Sequence, residues 1–405
     1  MVIKVAGAIN PVSAEFIEKK IEKVKDSNHY EAIVIELDTP GGLDTSMRTI
    51  VKAINQSNVP VVVYVSPSGA RAASAGVFIT MSAHVAAMAP GTNIGAAHPV
   101  NISGQAADNN MVAKVTNDAV AYIKSIAEKR GRNVEWAKSS VINSVSVTDT
   151  EALHLNVIDY RAESLQDLLN KINGKTVNIA GVDKRINTSD ATIIKEEMGL
   201  RLSLLNLISE PNIAYMLLII GFYGIFFELA TPGAILPGVI GSISLILGFY
   251  ALQTMPVNYA GLLLLVLGIV LFILEALIVS YGVLTIGGII SMTIGSLMLF
   301  DVGSPYIKLS ISLVIVTVIL TAVFFIVIVA MVYSSWKKKP VTGKEGLIGM
   351  TGVARTNINK DNEGLVFVHG EIWSAKCNQS IEKGQEVVVD EVVGMKVQVS
   401  LKQLK

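Results

Sequence analysis

Residues 60–76 read PVVVYVSPSGARAASAG. The run Val61 to Val65 is β-branched and aromatic, which suits a strand. Ser-Pro-Ser-Gly follows as turn chemistry, and a helical pattern covers 71–82. The same unit stands twice upstream. AIVIEL at 32–37 precedes a helical pattern over 43–56, and VIKVAGAI at 2–9 precedes one over 13–26. Alternating strands and helices predict an α/β domain with a largely parallel sheet and helical crossovers. It is expected to span residues 1–200.

Two strand ends carry the candidate chemistry. Asp38-Thr39-Pro40-Gly41-Gly42-Leu43 leaves the strand at 32–37 and opens a helix. Glycines there let backbone N–H groups approach a ligand at the positive end of a helix dipole. An oxyanion hole requires this, although Pro-Gly-Gly is also an ordinary turn. The second stretch, Ser68 to Gly76, puts Ser74 at or near a helix N-terminus within a run of small residues. Such a run allows close packing around one reactive group; it is equally common where a helix packs on a sheet. A nucleophilic serine needs a base. No histidine adjoins the motif, and His84 and His98 are the nearest in sequence. The alternative is a lysine kept neutral by burial, and Lys114, Lys124, Lys129 and Lys138 all follow Ser74. Residue pattern alone leaves these candidates open.

Hydrophobic residues make up 51% of the chain and charged residues 16%, against ~25% charged in an ordinary soluble domain. Part of the chain is therefore expected in lipid. The excess lies in 212–333, whose only charges are Glu228, Glu275, Asp301 and Lys308. It reads as five spans, about 212–230, 235–253, 258–279, 283–300 and 309–333, each near the ~20 residues that cross a bilayer. Gly221, Glu228, Gly241 and Gly248 recur 47 residues later as Gly268, Glu275, Gly288 and Gly295. Each copy would be a helical hairpin, with glycines suited to close helix–helix packing. Glu228 and Glu275 fall near span ends, where they are expected to reach the interface. Residues 345–405 are polar again. Short alternating runs at 346–354, 364–369, 385–390 and 394–400, broken by glycines, predict a small all-β barrel of about five strands.

Several functions are excluded at this level. Formal net charge is zero, so the basic excess of a nucleic-acid binder is absent. The single cysteine, Cys377, rules out a disulfide within the chain. The five histidines include no i, i+4 pair, so neither a metal site nor a cofactor is expected. The opening MVIKVAGAINPVSAEF has no basic region followed by an apolar core and is not read as a signal peptide. Trp336-Lys337-Lys338-Lys339 directly follows the last span, and a basic cluster there marks the cytoplasmic side. Five spans then place the N-terminal domain on the opposite, extracytoplasmic face of the cell membrane.

DTPGGL and GARAASAG, followed by MAPGTNIGAAHPV at 88–100, together resemble the ClpP-class membrane-bound peptidases of the NfeD family, relatives of signal peptide peptidase A. The stretch from Lys114 to Lys124 resembles the segment that carries that family's catalytic lysine, which maps onto Lys114. Ser146 to Asp159 resembles the closing helix of the ClpP/crotonase-like fold. The repeat region and the tail with GKEGLIGMTGVA, GEIWSAKC and IEKGQEVVV resemble the NfeD membrane segment and its OB-like barrel. The resemblance implies a serine endopeptidase with a Ser74/Lys114 dyad. Gly42 and Ala75 would supply the oxyanion N–H groups, with Pro40, Gly41 and Gly76 as supporting motif residues. It also implies hydrophobic peptide substrates and a stomatin-like membrane partner; a homo-oligomer is expected. Two competing readings are a non-cutting scaffold and an acyl-CoA enzyme of the crotonase class. The intact site residues weigh against the first, and the membrane region against the second. Oligonucleotide binding by the barrel lacks a basic-aromatic platform around Phe367 and Trp373.

Overall fold

The computed structural model describes residues 1–25, 27, 29–99, 109–231, 233–255, 257–278, 280, 282–300, 309–336 and 344–402. The first half runs β1 (Val2–Ala6), α1 (Pro11–Lys25), β2 (Ile33–Asp38), α2 (Asp44–Asn55), β3 (Val61–Val65), β4 (Arg71–Ala73), α3 (Ala75–Ser82) and β5 (Val85–Met88). It continues through β6 (Asn93–Gly95), α4 (Asn109–Arg130), α5 (Val134–Ile142), β7 (Ser146–Thr148), α6 (Asp149–His154), β8 (Tyr160–Arg161) and α7 (Leu165–Ile172). The hairpin β9 (Thr176–Ile179) and β10 (Val182–Arg185), then β11 (Lys195–Glu196) and α8 (Leu200–Ile208), complete the region.

Six strands form the main sheet in the order β11-β1-β2-β3-β5-β8, and every neighbouring pair is parallel. Ile33, Ile35 and Leu37 of β2 and Val61, Val63 and Val65 of β3 enter the core with α1 to α5. Val34, Val62 and Tyr64 enter a second core with α7. Both faces are covered, so the strands read as unbroken apolar runs rather than as alternating ones. This is the largely parallel sheet with helical crossovers that the sequence predicts.

The helix expected over 71–82 starts later. Arg71–Ala73 is a strand, parallel to β6, and β6 in turn pairs antiparallel with β7 to make a second, three-stranded sheet. Thr39 bridges Ala72 from the main sheet. Alanine's helix preference is worth only tenths of a kcal/mol per residue over most others, and strand pairing on both sides of β4 outweighs it. From Ala75 to Ser82 the helix is buried on every side. The stretch expected as one closing helix is likewise split. β7 ends at Thr148, whose hydroxyl and backbone make a capping box with Glu151 to start α6.

The apolar region holds α9 (Pro211–Ala230), α10 (Leu236–Gln253), α11 (Tyr259–Leu277), α12 (Val283–Leu299) and α13 (Ile311–Trp336). Among the described residues, α9, α10 and α13 are long and apolar enough to cross a membrane, and α11 and α12 are shorter apolar helices. The repeated glycines sit where each hairpin closes. A Cβ on Gly241 would lie 2.8 Å from the Gly224 Cα, and one on Gly295 would lie 2.5 Å from the Leu265 nitrogen. Small residues are what permit such approach in lipid. Glu275 is buried at the turn of its hairpin, where its carboxylate accepts from Ser280 Oγ at 2.5 Å and from the N–H groups of Gly282 and Thr285 at 3.0 and 3.1 Å. It caps the exposed N–H groups that begin α12.

The C-terminal unit, from Val323 onward, ends in α14 (Lys344–Leu347), β12 (Thr351–Ala354), β13 (Gly364–Val368), β14 (Glu371–Lys376), β15 (Glu386–Val393) and β16 (Lys396–Leu401). The five strands close into a barrel in the order β12-β13-β14-β16-β15. Val366, Val368, Val387, Val389, Val397 and Val399 fill it.

Candidate active site

The loop after β2 is built around two glycines. Thr39 Oγ1 accepts from the Gly41 N–H at 3.0 Å. Gly41 has φ +119°, a conformation that costs little only for glycine. Gly42 lies against the backbone of Ile9, which donates to Gly41 O at 2.8 Å and accepts from the Leu43 N–H at 2.8 Å. A Cβ on Gly42 would stand 2.0 Å from the Ile9 carbonyl oxygen, so no larger residue fits there without moving the loop.

Ser74 lies between β4 and α3 with φ 51° and ψ −112°. A non-glycine residue held so costs on the order of 1–3 kcal/mol and persists only where its surroundings enforce it. Here the Ser74 N–H donates to Gly95 O at 3.0 Å, and its carbonyl accepts from the Val77 N–H at 3.0 Å. The bend delivers the side chain to the glycine loop. A Cβ on Gly41 would meet Ser74 Cβ at 2.7 Å and Oγ at 3.2 Å. Gly76 lets α3 close on the same loop, since a Cβ there would press on the Thr39 methyl at 2.7 Å and the Ala72 Cβ at 3.3 Å. Pro40 is half-buried in the loop. Among the described residues, the N–H groups of Gly42 and Ala75 and the hydroxyl of Ser74 make no hydrogen bond. Free donors thus flank a strained, half-buried hydroxyl. The sequence alone did not point to Gly95 and Ile9, which hold the site by backbone contacts.

The two nearest histidines are committed elsewhere. His84 Nδ1 accepts from the Val61 N–H at 3.1 Å. Burial, then Arg130, Lys129 and Arg132, push the imidazole down to about 3. His98 Nδ1 lies 2.8 Å from the Val141 carbonyl. The lysines also separate. Lys124 faces Glu128 at 3.7 Å, both exposed, and the half-buried Lys138 faces the exposed Glu135 at 2.7 Å. Lys129 precedes Arg130, which donates to the Ser82 carbonyl at the far end of α3. Lys114 is exposed near the start of α4 rather than buried. No hydrogen bond or ion pair joins it to Ser74 among the described residues, and residues 100–108, which lead into α4, lie outside them. Its position on the helix is informative. Asp118 pairs with Arg48, and Tyr122 stacks on Phe78 at 6.0 Å and lies under Arg48. Lys114, Asp118 and Tyr122 are four residues apart, so they share one helix face. Arg130 meets Ser82 and Tyr122 meets Phe78, so α4 runs alongside α3 in the same direction. Lys114 is therefore on the face turned toward α2 and α3, at the end where Ser74 lies.

Residues 1–196 match the N-terminal domain of NfeD1b, 212–331 the NfeD integral membrane domain, and 344–400 the NfeD-like C-terminal, partner-binding domain. The chain is 37% identical to a membrane-bound protease of Pyrococcus horikoshii, over 97% of this chain and 91% of that one. It belongs to the NfeD family. The membrane protein NfeD1b of Bacillus subtilis is 28% identical over 80% of this chain and 72% of its own. Among solved structures, a membrane-bound stomatin-specific protease, as a lysine-to-alanine variant with a substrate peptide, is 36% identical. It covers 51% of this chain and 95% of its own at a TM-score of 0.48. This NfeD chain is a membrane-bound protease.

Proposed function

We propose that the protease works by a Ser74/Lys114 dyad and cleaves hydrophobic segments of membrane proteins, those of a stomatin-like partner first among them. The observation that carries this is the placement of Ser74, a strained hydroxyl beside the Gly41-Gly42 turn with free backbone donors around it. Lys114 in its neutral form takes the Ser74 proton as Oγ attacks a peptide carbonyl, then gives it to the leaving amine. The N–H groups of Gly42 and Ala75 hold the oxygen that becomes negative. Water then attacks the acyl-enzyme, with Lys114 again accepting the proton. Lys114 approaches Ser74 in this step through the side-chain freedom its exposure leaves it, on the face that α4 turns toward α3.

The substrate class is supported by the stomatin-specific relative, and the barrel, matching a partner-binding domain, is the module that recruits the partner. The basic cluster Lys337–Lys339 supports a cytoplasmic barrel and an extracytoplasmic protease domain. The test is cleavage of a hydrophobic peptide panel by the full chain in lipid. Ser74→Ala and Lys114→Ala lose activity, and Lys124→Ala keeps it. A dead Lys124→Ala with an active Lys114→Ala would assign the base elsewhere.

A further inference from the structure

The helix α8 joins the protease domain to the first apolar helix and has two unlike faces. One face docks. Leu202 packs on the core that holds α1 to α5, and Asn206 Oδ1 accepts from Asn10 Nδ2 at 2.9 Å. On the opposite face Leu200, Leu204 and Leu207 are 80%, 50% and 55% exposed, and α8 buries no residue fully. These leucines recur at the spacing of one helical stripe. A soluble surface seldom leaves three leucines aligned and uncovered without a partner.

The neighbouring chain says what that partner is. Only Ser209 and Glu210 separate α8 from Pro211, the first residue of α9, which is apolar and long enough to cross a membrane. The polar contacts at this end of the helical bundle gather at the same level. Thr254 Oγ1 donates to Ser209 Oγ at 3.1 Å, the Ser310 N–H to Asn212 Oδ1 at 2.9 Å, and the Asn258 N–H to Leu299 O at 3.0 Å. Beside them Tyr259, 76% exposed, begins α11. Tyrosines at helix ends mark the water–lipid boundary. The leucine face of α8 therefore starts where the bilayer starts.

We propose that α8 lies in the headgroup boundary with Leu200, Leu204 and Leu207 in the lipid and Leu202 and Asn206 against the protease domain. Amphipathic helices bind bilayers in this way. Asn10 adjoins Ile9, whose backbone brackets Gly42. The immersed helix is thus a platform that sets the height of the glycine loop above the membrane.

The test uses the full chain in lipid nanodiscs on a Cys377→Ser background. Leu204→Cys and Leu207→Cys carry an environment-sensitive fluorophore, Ser189→Cys is the aqueous reference, and Ile220→Cys on α9 is the lipid reference. Iodide and lipids brominated high on the acyl chain serve as quenchers. The labels at Leu204 and Leu207 are expected to be quenched by brominated lipid, as at Ile220, and to be shielded from iodide several-fold relative to Ser189. Iodide quenching equal to that at Ser189 would overturn the proposal. So would protection from both quenchers, which would mean that a second copy of the chain covers the face.

Discussion

The two ends of α3 are built on opposite terms. At its C-terminal end the buried Arg132 is paired with Asp159. Arg132 is buried and donates to the carbonyls of Met81 and Ala83 at 2.6 and 2.9 Å and to Asp159 at 2.7 Å. Asp159 also takes Lys175 at 3.1 Å and the Ala86 N–H at 2.8 Å. Burial would raise its carboxyl, but Arg132, the Ala86 N–H and Lys175 hold it below the ordinary value. At the N-terminal end Ser74 is strained, its hydroxyl is free, and the Gly42 and Ala75 donors are unused among the described residues. One helix thus joins an ion-paired anchor to a site with unused donors. The strain at Ser74 is held locally, by the Gly95 carbonyl and the Val77 N–H, and not by the far end of the helix.

The largest expected effect breaks the anchor. Arg132→Ala leaves the partly buried Asp159 without its main partner, and removing one member of such a pair costs on the order of 3 kcal/mol, the low end of the range for fully buried pairs. Chemical denaturation should show this loss, while the activity per folded molecule stays that of the parent. Loss of activity in fully folded protein would mean that the two ends are not separate in role.

Next comes the glycine loop. Gly42→Ala must displace the Ile9 carbonyl, only 2.0 Å from the new Cβ. Losing one oxyanion donor lowers kcat by roughly 10²–10³. A peptide assay on the folded variant checks this; unchanged kcat would remove Gly42 from the site.

A smaller effect comes from pH. His84 stays neutral in the folded chain down to about 3 but takes up a proton near 6.5 when unfolded. The unfolded state binds more protons between these values, so stability present above pH 6.5 is lost as pH falls toward 3. Asp159, with its carboxyl depressed, adds a loss in the same direction at the acid end. His84→Asn keeps an acceptor for the Val61 N–H and should flatten the stability slope across that window. An unchanged slope would place the titration elsewhere. The smallest effect is at Lys124, where Lys124→Ala should change stability by no more than about 0.5 kcal/mol, measured by the same denaturation.

The sequence carried the strands of the main sheet because Val61 to Val65 and Ile33 to Leu37 are buried on both faces and tolerate little else. It misplaced Arg71–Ala73 because that strand exists only through partners distant in sequence, at Thr39 and Asn93–Gly95. It missed Glu371–Lys376, which lacks apolar alternation and is paired by Gly364–Val368 and Lys396–Gln398. The small residues around Ser74 and the glycines of 41–42 marked a candidate, and the family resemblance gave Ser74 its proposed role. The choice of Lys114 was not, since four lysines follow Ser74 and only the family resemblance singled one out. The helix face shared with Asp118 and Tyr122 is a reason that only the fold supplies.

In the proposed mechanism Ser74 forms the acyl-enzyme. The full chain in lipid should be mixed with a hydrophobic ester substrate, quenched during turnover and digested for mass spectrometry. The acyl adduct is predicted on the peptide containing Ser74, and it should vanish in Ser74→Ala together with turnover. An adduct on another residue, or turnover that persists in Ser74→Ala, would remove Ser74 as the nucleophile.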